Sequence, residues 1–204
     1  MIAAFDVHYL EDGRASAAAL LFSDYSDAEP AGVYTQFLPG AADYIPGQFY
    51  RRELPCILTL LKKINMALDE MVVDGYVMLG NRPGLGEHLF ESFHGKIPVI
   101  GVAKSKFEGS SGTEVFRGGS IRPLYVTSAG VEQKKASERI GTMHGAHRVP
   151  TLLKRVDLLA RENARQDACG HWVGPTLIEG SSSQEQVFSS LKPSLVTCFS
   201  QEML

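Results

Sequence analysis

Asp6 stands inside an otherwise apolar run, Ala3-Ala4-Phe5-Asp6-Val7, and Asp74 closes another, Met71-Val72-Val73-Asp74, directly before Gly75. A lone carboxylate buried in a strand costs several kcal/mol, so each acid needs a partner. If the two strands are sheet neighbours, the carboxylates meet at one place and repel each other unless a divalent cation neutralises them. A small set of oxygen ligands suits Mg²⁺, with Mn²⁺ as a substitute, rather than zinc. Glu53, on the helical stretch after a turn-rich loop, is positioned to supply a third oxygen donor. Asp157, among the apolar residues of the last helical stretch, is positioned to supply a fourth. A cation held in such a centre lowers the pKa of a bound water and counters negative charge that gathers beside it. A strand-end acid is also a common turn acceptor and a helical acid is commonly a surface group; spacing alone leaves those readings open.

The elements that must carry these acids follow from hydrophobic period and turn chemistry. Ile2 to Tyr9, a turn at Glu11-Asp12-Gly13-Arg14, Ala15 to Phe22, and then Gly32 to Phe37 read as three antiparallel strands. A loop rich in turn formers, Pro39 to Gly47, leads to a helical pattern from about Phe49 to Leu68, which Pro55 would kink or restart. Met71 to Gly75 reads as a strand, Gly84 to Phe93 as a helix and Ile97 to Ala103 as a buried parallel strand. A hairpin around Gly118-Gly119 and helices over Glu132 to Met143 and Pro150 to Arg165 complete the body. This order predicts an α/β fold, a ribonuclease H-like mixed sheet of three antiparallel N-terminal strands plus parallel strands, flanked by helices. Periodicity collapses after about Gln166, so the expected division is a catalytic domain over 1–165 and a low-periodicity tail over 166–204.

With 204 residues the chain is long enough for one domain with its own core. Hydrophobic residues at 44% and charged residues at 21% exclude wholesale disorder. The longest apolar run, Ala15 to Phe22, falls short of the ~20 residues of a bilayer span, so no membrane partner is expected. No basic segment of a secretory signal is visible, and three cysteines with no CxxC pair argue against a disulfide framework or a cysteine-rich zinc site. A monomer in the cytoplasm is the expectation. The net charge of −3 means that any contact with nucleic acid must be local. Short basic pairs such as Arg51-Arg52 and Lys154-Arg155 read as solvated faces.

Seven short words occur in order over residues 1 to about 162: Asp6-Val7-His8-Tyr9; Tyr44-Ile45-Pro46-Gly47 running on to Arg52-Glu53-Leu54-Pro55; Val72-Val73-Asp74-Gly75; Gly84-Leu85-Gly86-Glu87-His88-Leu89; Ile100-Gly101-Val102-Ala103-Lys104; Arg122-Pro123-Leu124-Tyr125-Val126; and Arg148-Val149-Pro150 running on to Val156-Asp157. Each is weak alone, but together they resemble the endonuclease V family. The resemblance implies a ribonuclease H-like fold and Mg²⁺-dependent cleavage of nucleic acid near a deaminated purine, leaving a 5′-phosphate and a 3′-hydroxyl. It implies that Asp6, Glu53, Asp74 and Asp157 form the acidic metal site and that Lys104 stands near the scissile phosphate. By the same resemblance Tyr44-Ile45-Pro46 is a strand-separating wedge, and Gly47, Gly75, Gly84 and Leu85 line a pocket for the displaced base.

One segment departs from the family pattern. Where the family has a His-Pro-Arg stretch, this chain reads Leu79-Gly80-Asn81-Arg82-Pro83 and is one residue shorter before the Gly84 word. Arg82 is expected to keep one phosphate contact, and His88 stands nearby as a substrate contact. The departure keeps open a nucleic-acid-binding homologue with lost or altered catalysis, and a ribonuclease H-like nuclease acting on RNA stands as a second alternative. The intact set of four acids argues against the first.

Overall fold

The computed structural model describes residues 1–39 and 50–168. Strands β1 (Ile2–Tyr9), β2 (Ala15–Phe22) and β3 (Gly32–Leu38) precede helix α1 (Tyr50–Leu61) and strand β4 (Glu70–Asp74). A short ribbon, β5 (Met78–Leu79) and β6 (Arg82–Pro83), leads to α2 (Leu85–Ser92) and strands β7 (Val99–Ala103), β8 (Thr113–Val115) and β9 (Leu124–Ala129). Helices α3 (Gln133–Thr142) and α4 (Thr151–Ala168) follow. Seven strands form one sheet in the order β3-β2-β1-β4-β7-β9-β8. The central pairs β1/β4 and β4/β7 are parallel and the flanking pairs antiparallel.

Parallel strands survive only with both faces covered, and because successive residues of a strand point to opposite faces, the side chains divide between two cores. Phe5, Leu21 and Val73 pack with Leu54, Ile57 and Leu61 of α1 and Leu89 of α2. Ile2, Leu20, Val72 and Ile100 pack with Ile140 of α3 and with Leu152 and Val156 of α4 on the other face. β2 is buried along its whole length, and its alanines at positions 15 and 17 to 19 let helices close in from both sides. The parallel register then sets up the chemistry: Phe5 pairs with Val73 and Asp74 with Val102. The next residue of β1, Asp6, thus stands beside Asp74 at the C-terminal ends of the central strands.

The structure refines the expected elements in four places. The helix expected over 49–68 ends at Leu61, where Lys63 and Ile64 donate to the Leu60 and Leu61 carbonyls in a tight turn. Its 12 residues span roughly 18 Å, about the ~17 Å depth of a five-residue strand, so the chain must turn back to begin β4. Pro55 lies inside α1 without ending it. The Leu79 to Pro83 segment is a hairpin with Gly80-Asn81 at its tip, and Gly80 takes φ +61°, open to glycine at little cost. Finally, α4 runs past the expected boundary at 165 to Ala168, with Ala164 buried and Asn163 donating to Ser16 Oγ of β2 at 2.8 Å. Residues 169–204 of the expected tail lie outside the described residues.

Candidate metal centre

One carboxylate oxygen from each of Asp6, Asp74 and Asp157 lies within 4.8 Å of the other two. The alternation along the strands explains the grouping. Asp6 shares a face with Ile2 and Ala4, and Asp74 shares one with Val72, and this is the face on which α4 packs. α4 lowers Asp157 onto the pair through Leu152 and Val156, which bury on the same side. Lys104, the first residue past β7, donates from Nζ to Asp74 Oδ2 at 2.6 Å and lies 3.9 Å from Asp157 Oδ1. Arg161, one turn beyond Asp157 on α4, grips the Asp157 carboxylate with Nε at 3.1 Å and Nη2 at 3.0 Å. The acids and Lys104 line a cavity of about 20 Å³ with Phe5, Leu124 and Leu153 among its apolar walls. That is the room of about one water or ion and far too little for a nucleobase.

The electrostatics show a centre short of positive charge. Burial first, then the charges of Asp74 and Asp157, push Asp6 up to about 7 against the opposing pull of Lys104. Burial would also raise Asp157, but the Arg161 hydrogen bonds and the charges of Lys104 and Arg161 outweigh it and hold the carboxyl below its ordinary value. Burial of Lys104 favours its neutral form, yet the hydrogen bond to Asp74 and the surrounding acids keep its ammonium above the usual range. Three carboxylate oxygens with no nitrogen or sulfur donor among them, and an acid driven to hold its proton near neutrality, make a set that fits a hard divalent cation.

Glu53 reaches this centre from the other layer. It lies on α1, whose core is on the opposite face of the sheet, and is itself buried. Burial, and then Asp6 and Asp74, drive its carboxyl well above the ordinary value despite Arg52. It interacts with the pair electrostatically but stands outside the group of three.

The positions expected to receive a base are divided. Tyr44, Ile45, Pro46 and Gly47 lie outside the described residues. Gly75 has φ +127° and open space where a Cβ would stand, as a backbone lining a pocket requires. Gly84 has another reason to be glycine: a Cβ there would lie 2.5 Å from the Tyr76 carbonyl oxygen and 2.9 Å from that of Val77. The Gly84 N–H donates to Val77 at 2.7 Å, so this is a backbone-to-backbone contact. Gly84→Ala is therefore expected to cost about 1–3 kcal/mol by overpacking; an unchanged urea midpoint would show that the 76–77 backbone yields freely. The Leu85 side chain fills the core, leaving only its backbone for a ligand. Arg82 is exposed on β6. The His88 ring stacks on Tyr50 with centroids 3.8 Å apart and an interplanar angle of 27°, and burial lowers its pKa.

Sequence reasoning missed two contributors. Arg161 was legible as the partner four residues after Asp157 on a helix. Gly101 had no such signal: a Cβ there would lie 2.7 Å from the Gly75 carbonyl oxygen and 2.8 Å from Thr127 Oγ1, a closeness that comes only from sheet packing.

Among the described residues, no helix is long and apolar enough to cross a membrane. Endonuclease V from Xanthomonas oryzae pv. oryzae is 32% identical over 111 residues, covering 54% of this chain and 46% of that protein. The chain thus spans about half the length of such curated relatives. Endonuclease V from Streptomyces avermitilis superposes with a TM-score of 0.69 at 23% identity, covering 82% of each chain. The Ciona intestinalis enzyme, solved with a 24-mer DNA containing an inosine followed by a ribo-adenosine, gives 0.68 at 18% identity, covering 81% of this chain and 86% of that one. This likeness and the strand order establish the ribonuclease H-like fold. The family model for Endonuclease V matches residues 1–151, a span that carries Asp6, Glu53, Asp74 and Lys104 and stops just short of Asp157. On a match of that extent, the chain belongs to the endonuclease V family.

Proposed function

We propose that this chain is a metal-dependent endonuclease that hydrolyses a phosphodiester near a deaminated purine, inosine or hypoxanthine, in DNA or RNA, leaving a 5′-phosphate and a 3′-hydroxyl. The observation that carries the reading is the convergence of Asp6, Asp74 and Asp157 beside Lys104. When bound, Mg²⁺, or Mn²⁺ in its place, supplies a water of lowered pKa and a counter-charge for the phosphate. The three aspartates would hold the ion, with Glu53 as a fourth carboxylate from the α1 layer. Lys104 Nζ presents its charge to the phosphate from the same side. Arg161 restrains the Asp157 carboxylate, and Arg82 and His88 contact the substrate outside the centre. Selectivity comes from extruding the altered base, which costs least where pairing is poor, into a pocket edged by the backbone of Gly47, Gly75, Gly84 and Leu85. The Ciona relative bound to inosine-containing DNA supports that choice of substrate. The same reading makes the protein a cytoplasmic monomer.

The test is cleavage of matched oligonucleotides with and without inosine, as DNA and as RNA, in Mg²⁺ and in EDTA. Cleavage confined to the inosine strands and lost in EDTA is expected; binding without cleavage would favour the non-catalytic homologue. For the wedge, Tyr44→Ala should weaken binding to an inosine-containing duplex much more than to a single strand, because an aromatic wedge offsets part of the unstacking cost. Equal weakening on both substrates with a lowered melting temperature would make Tyr44 a packing residue.

A further inference from the structure

We infer that Arg148 is a positioning residue for cleavage, acting through Lys104; this rests on the reading of the centre given above. Arg148 opens the last of the sequence words, yet it is not among the residues that line the cavity of the hydrolytic centre. Its Nη2 donates to two backbone carbonyls, that of Lys104 and that of Pro123, the latter at 2.8 Å. Both carbonyls lie one residue outside the ladders that join β9 to β7 and to β8: Lys104 follows Ala103, whose partner is Tyr125, and Pro123 precedes Leu124, whose partner is Val115. A strand frays where its ladder ends, and one guanidinium nitrogen with two hydrogens closes both ends at once with charge-assisted bonds.

What it closes is the wall of the metal centre. The residue whose carbonyl is held is the one whose Nζ sits 2.6 Å from Asp74 and 3.9 Å from Asp157. The residue after Arg148, Val149, lines the same cavity, and α4 with Asp157 begins at Thr151. One side chain therefore ties the end of β7, the start of β9 and the approach to α4, three words far apart in sequence. A lysine has a four-carbon stem that reaches many places. Tying the Lys104 carbonyl to the start of β9 through one guanidinium holds the base of that stem, and so favours the ammonium's place beside Asp74 and Asp157. The Arg148 Nε is buried without a hydrogen-bond partner among the described residues, so the group is kept for its two Nη2 contacts at a desolvation cost.

The experiment compares wild type, Arg148→Ala, Lys104→Ala and the double variant on inosine-containing substrate at saturating metal. Arg148→Ala is expected to lower kcat about tenfold through misplacement of Lys104, with KM unchanged. In the Lys104→Ala background the same substitution should lower kcat no further, because the two act as one unit. Losses that add in full, or a raised KM with unchanged kcat, would overturn the inference. Should Arg148→Ala fail to fold, Arg148→Lys, which keeps a charged donor but not the planar fork, carries the same cycle with a smaller loss. A second readout is independent of cleavage: with lysines labelled at ¹³Cε, the Lys104 resonance, identified by its loss in Lys104→Ala, should move in Arg148→Gln, which adds no lysine, while the other lysine resonances stay. A Lys104 resonance that does not move overturns the inference. Absence of cleavage by the wild type would instead refute the functional reading, with the resonance still testing the contact.

Discussion

Replacing Asp74 by asparagine is expected to abolish metal-dependent cleavage while leaving the fold intact. Asp74 offers one of three carboxylate oxygens within 4.8 Å of each other and is the one to which Lys104 donates directly. Asparagine keeps the shape but not the charge, so both the cation affinity and the placement of the Lys104 ammonium suffer. A loss of at least about 10³-fold in kcat is expected for a group acting in such a unit. Stability should move the other way. Without Asp74, a major like charge on Asp6 is gone, whereas the lost ion pair with the half-exposed Lys104 was worth only about 0–1 kcal/mol. The variant should therefore melt no lower than wild type in EDTA at neutral pH. Full Mg²⁺-dependent cleavage by Asp74→Asn would remove this residue from the metal centre.

In EDTA, the wild-type protein should lose stability as pH rises from about 4 to about 7. Asp6 has an ordinary value near 3.8 and is pushed up to about 7 in the folded chain. Between those values the folded state binds more protons than the unfolded state, so unfolding becomes easier as the pH rises through the window. Glu53, raised well above its ordinary value, adds to the slope in the same direction. Asp157 is held low and works oppositely, its contribution fading only as pH falls below the ordinary carboxylate range. At ~1.4 kcal/mol for each tenfold change in proton affinity, Asp6 alone sets a ceiling of about 4 kcal/mol. Saturating Mg²⁺ should flatten the slope, because a cation replaces the protons that the acids otherwise retain. Melting temperatures measured from pH 4.5 to 7.5 with EDTA and with Mg²⁺ test this; a metal-free curve that rises across the window would show that these carboxylates are adequately compensated by the protein alone.

Much of this protein was legible in its sequence for local reasons. An acid inside an apolar strand announces itself because desolvation penalises it wherever that strand packs, and so Asp6 and Asp74 were readable as a pair. The strands, the turn at Gly13 and the helix over Thr151–Ala168 follow from hydrophobic period and turn chemistry, which depend on neighbours in the chain. The layer in which each helix lies is not local. Glu53 and Asp157 looked alike as helical acids, yet α4 packs on the face that carries Asp6 and Asp74 while α1 packs on the other, and this alone puts Asp157 within the group of three and Glu53 outside it. The roles of Gly84, Gly101 and Arg148 were equally hidden. Each depends on how closely segments distant in sequence approach in the packed sheet, and a chain's own spacing cannot express a distance that only tertiary packing creates.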